Sequence, residues 1–321
     1  MTWKEGLFLT LMFLLVSWIL IPSKSITTFV EQSRIPSKET NNELLLRIQE
    51  LADKVKNAPV NARLDPVWKA IPGYNGQEVD IEKTYKIAKN LKRGSKLSLV
   101  YQEIPPKVTL DQIGPYPIYK GNANKPMVSL MINVAWGNEF IPGMLHTLKA
   151  ENVKATFFLD GTWLKNNQET AKLILQQGHE LSNHGYSHKD MSKLNRQEAQ
   201  TEIMKTQELL RDLGVENRWF APPSGDFNAQ TVQIAYELKL KTVLWTLDTV
   251  DWKNPQAEWV IRRISAGLEP GVMILMHPTR ASSEALDTLI KKIKSKGLYL
   301  GTVSQLLSEK RVPVVESEHF W

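Results

Sequence analysis

The 321-residue chain contains no cysteine. Disulfides, cysteine nucleophiles and thiolate metal sites are therefore excluded together. The absence suits a reducing cytosol, and equally the exterior of a bacterium whose exported proteins do without disulfides. Histidine is scarce, with six residues in all, so imidazole chemistry has few candidates. A strong charge of one sign is also missing. Forty Lys and Arg against 34 Asp and Glu leave a net charge of +6. Dispersed lysines at that balance fit attraction to an anionic wall or lipid surface, and they give no nucleic-acid signature. Internal repeats and low-complexity tracts are absent too. Near the N-terminus charge disappears altogether: behind Lys4, Gly6 to Ile21 is uncharged and mostly apolar. That run falls short of the roughly 20 residues of a comfortable transmembrane helix and matches a signal-segment core. Residues 1–25 are expected to be a signal peptide or membrane anchor. The protein is then exported, either secreted or tied to the membrane through this segment if it stays uncleaved.

The chain that follows changes texture twice. Lys24 to Thr40 is polar and reads as a linker. Leu44, Leu45, Ile48, Leu51, Ala52 and Val55 then recur at helical spacing and predict an amphipathic helix over 42–56. Pro59, Pro66, Pro72 and Gly73 punctuate the next stretch. A helix pattern after IPGYNG and a strand LSLVYQEI, stopped by Pro105 and Pro106, make residues 57–120 a small α/β accessory domain. From Met127 onward, MVSLMINV, KATFFL, HELSNH, RWFAPP, KTVLWTL, VMILMH and LYLGTV alternate with helical patterns. Such alternation implies a parallel sheet, and the number of repeats a (β/α) barrel over residues 121–310, with 311–321 as a tail. Barrel chemistry gathers at the C-terminal ends of strands. NHGYSH, LDTVDW and LMH all lie there and should converge. Lys291, Lys292, Lys294 and Lys296 are expected to form a solvated helix face.

NHGYSH sets His184 and His188 four residues apart, a spacing that suits a metal, although zinc wants at least a third protein ligand. In order along the chain, VKATFFLDGTW, HELSNHGYSH, FAPPSG, LDTVDW and LMH resemble the successive motifs of the polysaccharide deacetylases, the family sharing the NodB homology domain. The likeness runs from about Lys125 to Leu307, and the preceding domain looks like that of sporulation-associated members from Gram-positive spore formers. The resemblance implies a distorted (β/α) barrel that removes acetyl groups from N-acetylated wall or chitin-like glycans. It implies a divalent metal, usually zinc, on one Asp and two His, a second Asp as general base and a C-terminal His as general acid. On this resemblance His184 and His188 fall on the metal histidines and His277 on the acid. Asp248 and Asp251 fall on carboxylates supporting the acid or the base side, and Trp252 and Leu275 line the acetyl pocket.

The departures sit at the centre of that chemistry. Where the family's first strand ends in Thr-Phe-Asp-Asp-Gly, this chain reads NVAWG. Ala135 takes the base position and Trp136 the metal-ligand position, at the mouth of the site. Ala221 replaces the arginine that orients the base, Ser224 the tyrosine after it, and Gly185 the usual Ser or Thr. One zinc ligand is worth crudely ~3 kcal/mol, about a hundredfold in affinity, and a general base about 10²–10⁴ in rate. Glu139, Asp160 and Asp226 lie near strand-end loops as possible stand-ins. Without a metal, His184 and His188 are expected to hydrogen-bond to Asp248 or Asp251. Three readings follow: a catalytically impaired homologue binding a wall or spore glycan, an active N-deacetylase with a substitute ligand, and a scaffold docking an envelope protein. Zinc is expected to be weakly bound or absent, and no nucleic-acid partner is expected.

Overall fold

The structure, a computed structural model, describes residues 40–92 and 95–312. The expected signal segment, most of the linker and all but two residues of the expected tail lie outside the described residues. Among the described residues no helix is long and apolar enough to cross a membrane.

Helix α1 (Asn41–Val55) is followed by strands β1 (Arg63–Asp65), β2 (Lys69–Ile71) and β3 (Gly76–Val79), helix α2 (Ile81–Ala88) and strand β4 (Tyr101–Ile104). A capping box starts α1: the Glu43 amide donates to Thr40 Oγ1 at 3.3 Å, and the Thr40 amide donates to the Glu43 carboxylate at 2.7 Å. Leu44, Ile48, Leu51, Ala52 and Val55 form its buried stripe, as their spacing predicts.

The described residues divide into two compact units, 40–58 with 77–104, and 59–76 with 105–312. The smaller unit holds α1, α2 and the β3–β4 pair, around a core that includes Ile48, Val79 and Leu97. The antiparallel β1–β2 hairpin and residues 105–120, assigned by sequence to a 57–120 accessory domain, belong instead to the larger unit. Residue Ile118 gives the physical reason. It is 1% exposed and packs with Met127, Met131, Phe158, Val243 and Met273 in an inner core. Its amide donates to the Thr242 carbonyl at 2.9 Å, its carbonyl accepts from Leu244, and the Gly121 amide reaches the Gly271 carbonyl at 2.7 Å. This segment bridges two sides of a sheet that would otherwise stay open.

That sheet is built from β5 (Met127–Val134), β6 (Thr156–Leu159), β7 (Glu180–Asn183), β8 (Trp219–Phe220), β9 (Lys241–Thr242), β10 (Leu247–Asp248), β11 (Met273–Met276) and β12 (Tyr299–Gly301). All neighbours are parallel, in the order β10-β11-β5-β6-β7-β8-β9, with β12 on the first half of β5. The result is the distorted (β/α) barrel expected from the sequence. Every residue of β5 is buried, which is why it reads as a mostly apolar run, interrupted only by the buried Ser129 and Asn133. Val128, Leu130, Ile132 and Val134 face the surrounding helices, while Met127 and Met131 face inward. The run KTVLWTL, read as one strand, is two: it breaks between β9 and β10, where Leu244 turns to Ile118 and the Thr246 amide to the Met273 carbonyl.

The helices are α3 (Ile141–Ala150), α4 (Gly161–Asn166), α5 (Gln168–Gln176), α6 (Arg196–Asp212), α7 (Ala229–Glu237), α8 (Ala257–Ala266), α9 (Arg280–Ser295) and α10 (Val303–Leu307). On α9, Lys291 pairs with Asp287 and Lys294 with Glu151, each exposed, so the lysine run is a solvated face.

Candidate functional site

Parallel register carries the motifs to one mouth. Val134 lies beside Leu159, Leu159 beside Asn183, and Asn183 beside Phe220. The next residue along each strand therefore forms a row at the C-terminal end: Ala135, Asp160, His184 and Ala221. Backbone hydrogen bonds carry the pairing into that row, Asp160 to Val134, His184 to Leu159 and Ala221 to Asn183, at 2.9–3.0 Å.

His184 is buried, and its Nδ1 lies 2.8 Å from the Ala221 carbonyl. Burial, with the nearby His188, lowers its pKa to about 3, so the ring is neutral. The two imidazoles stand edge-on with centroids 5.3 Å apart. His188 adopts a left-handed φ of 53°. Its loop is fixed by Glu202 on α6, a buried carboxylate that accepts from the Tyr186 and Ser187 amides and the Ser187 hydroxyl at 2.7–3.2 Å. Glu202 was not legible in the motif, because it reaches the loop from a separate helix. Neither histidine is held by Asp248 or Asp251, contrary to the sequence expectation. Those carboxylates arrive on the far wall, and a backbone carbonyl is nearer.

The far wall is built by Asp251 and His277. Asp251 is fully buried and accepts from the His277 amide at 2.7 Å and, through its other oxygen, His277 Nδ1 at 2.8 Å. The Ser282 and Thr279 hydroxyls, from the start of α9, add further hydrogen bonds. Burial alone would raise the Asp251 carboxyl, but the hydrogen bonds from His277 and Ser282 outweigh it and hold it below the ordinary value. Asp248 plays a different part: its Oδ1 accepts from the Val250 amide at 2.8 Å and closes a tight turn. Val250 and Asn254 both sit in the left-handed region, at φ 52° and 51°. For a β-branched valine that is a true outlier, of order 1–3 kcal/mol. The turn presents Trp252, which is 55% exposed, with Lys253 over its ring at 4.9 Å. Leu275, on β11, is buried.

Trp136 occupies the space between the walls. Its ring stacks on His277 at 5.3 Å and 16°, and meets His188 edge-on at 6.4 Å, while 44% of the residue remains exposed. The following Gly137 has φ 82°, and a Cβ there would lie 1.9 Å from the Pro278 carbonyl oxygen. Only glycine fits, and the tight contact fixes the turn that carries the indole.

A catalytic zinc does not fit these residues. Two imidazoles remain, the third position is an indole, and among the described residues no group of three His, Asp or Glu could hold a metal. The possible stand-ins do not complete a ligand set. Asp160, in the mouth row, caps α4 through Oδ1, which accepts from the Trp163 amide at 2.9 Å, while its buried Oδ2 has no hydrogen-bond partner among the described residues. Asp226 accepts from the Ser192 amide and hydroxyl, and Glu139 is solvent-exposed.

The comparisons agree with this geometry. The polysaccharide deacetylase family profile matches residues 120–243. An uncharacterized Bacillus subtilis (strain 168) protein, YlxY, is 46% identical over 90% of this chain and 89% of its own length. The crystal structure of BA3943 from Bacillus anthracis, described as a CE4 family pseudoenzyme, is 44% identical with a TM-score of 0.78, covering 84% of this chain and 96% of that one. A Bacillus cereus peptidoglycan-N-acetylglucosamine deacetylase is 34% identical over 60% of this chain and 72% of its own. With its barrel, its strand-end motifs and these relatives, the chain belongs to the polysaccharide deacetylase family, carbohydrate esterase family 4.

Proposed function

We propose that this protein is a non-catalytic member of the family that holds an N-acetylated wall glycan outside the cytoplasm without removing its acetyl groups. The observation that carries the reading is Trp136, stacked on His277 where the resemblance puts the aspartate ligand. Without the carboxylates at positions 135 and 136, neither a bound hydroxide nor a base to make one is supplied. BA3943 is described as a pseudoenzyme, and a mutant of it as having restored enzymatic activity, which supports a framework that outlives its chemistry.

Loss of catalysis leaves the presentation of aromatic rings intact. The strained turn around Val250, directly after β10 and before the retained Asp251, carries an exposed Trp252. Indole faces stack on the apolar faces of sugars. The glycan class follows from relatives named as peptidoglycan deacetylases, whether in the growing envelope or in the spore. The test is paired. Chitotetraose should release no acetate with the wild-type protein and zinc, yet should bind it calorimetrically. Trp252→Ala and Trp136→Ala should each weaken binding about tenfold, or ~1.4 kcal/mol. Acetate release that His184→Ala abolishes would sink the reading in favour of an active enzyme. Absence of glycan binding would favour a scaffold for an envelope protein.

A further inference from the structure

The barrel also carries a cavity at its other end. Arg218 immediately precedes β8, and Lys241 is the first residue of β9, so this cavity opens where those strands begin rather than where they finish. Its volume is about 670 Å³, within the usual range of small-molecule sites and far too large for a single ion. None of its lining residues belongs to the mouth described above.

The wall carries side chains of both charges. Arg218 and Lys239 line one part, and neither side chain has a hydrogen-bond or ion-pair partner among the described residues. Lys241 is already neutralised by Asp111. In the same lining, the Glu309 carboxylate accepts only the Leu110 amide, at 3.3 Å, among the described residues. Between the charges the floor is apolar, with Leu110, Leu240 and Leu307 all buried and the Tyr236 ring partly exposed. Ser308 Oγ accepts from the Lys310 amide at 3.1 Å, leaving its own hydrogen to donate.

We propose that this cavity binds a short peptide segment carrying a free carboxylate and an amine. The carboxylate is taken by Arg218, Lys239 and the Ser308 hydroxyl, and the amine by Glu309. A planar guanidinium beside a second cation suits a carboxylate. A phosphate polyester fits poorly, because successive negative charges would meet Glu309 and Asp111. Methyl and methylene groups of the peptide cover the three leucines.

The proposal stands apart from the glycan reading and fails separately from it. The full chain is titrated calorimetrically with the tripeptide Lys-Ala-Ala, its C-terminal amide, and inorganic phosphate. A Kd of about 0.1 mM is expected for the free acid, weakened about tenfold by amidation and by Arg218→Ala with Lys239→Ala. Both residues are exposed, so the double variant should keep its fold, which far-ultraviolet circular dichroism checks. A Trp136→Ala, Trp252→Ala variant should bind the tripeptide as the wild type does. Three results overturn the proposal: no binding of the free acid, equal binding of the amide, or displacement by phosphate at matching concentration.

Discussion

Two walls of one mouth have fared differently. The wall made by β11 and the turn from Asp248 to Asn254 keeps a complete network, with Asp251 buried under His277, Ser282 and Thr279. The wall made by the ends of β5 and β8 has been emptied: Ala135 and Ala221 stand where the resemblance places a base and its arginine, and Trp136 fills the gap. The contrast separates residues by what else they support. Asp251 joins a strand end to the start of a helix, so its removal breaks structure. A base and its arginine support only each other, and both leave together at little structural cost.

The sharpest way to break this comparison is Asp251→Ala. It would strand the His277 amide and imidazole and the Ser282 hydroxyl in a buried site, costing about 3–5 kcal/mol. Urea unfolding monitored by tryptophan fluorescence measures it. A loss below ~1 kcal/mol would show that the retained wall is no more structural than the emptied one.

The emptied wall should instead gain function when refilled. Ala135→Asp with Trp136→Asp restores a third ligand beside His184 and His188, and zinc affinity should rise at least about a hundredfold. Calorimetry reads this directly, and an unchanged affinity would mean that the two histidines no longer point at a common centre.

The histidines themselves set a pH dependence. Burial, with Lys154 adding a like charge, lowers the pKa of His179 to about 4, and burial lowers His184 to about 3. Both lie below the ordinary 6.5, so below that pH the unfolded chain takes up protons that the folded chain refuses. Stability is therefore full above about pH 6.5 and falls as the pH drops towards 4 and then 3, by several kcal/mol, on the order of 5. Urea midpoints across pH 7 to 4 should follow this slope, and His179→Phe should flatten part of it. His179 is remote from the mouth. Its Nδ1 accepts from the Ala155 amide at 3.2 Å and its ring meets Phe157 edge-on.

Much of the mouth was legible in the sequence, because parallel strands deliver whatever follows them to one end of the barrel. Histidines four apart, and the carboxylates of LDTVD, needed only that rule. Register decided the rest. That Asp251 rather than Asp248 meets His277, that Ala221 offers its carbonyl to His184, and that Ile118 closes the barrel all depend on contacts between residues tens of positions apart. The weak strands β8, β9 and β10, two residues each, escape periodicity for the same reason: their neighbours hold them, not their own patterns.

The smallest effect expected concerns the strained turn. Val250→Asn accommodates the left-handed backbone more readily and should stabilise the protein by about 0.5–1 kcal/mol in urea unfolding. Destabilisation would show that valine packing outweighs the strain.

The account rests on Trp136 having displaced the metal, and a zinc titration of the wild-type protein tests that most directly. No binding, or weak binding indifferent to His184→Ala and His188→Ala, is the predicted result. Sub-micromolar binding that either substitution destroys would contradict it.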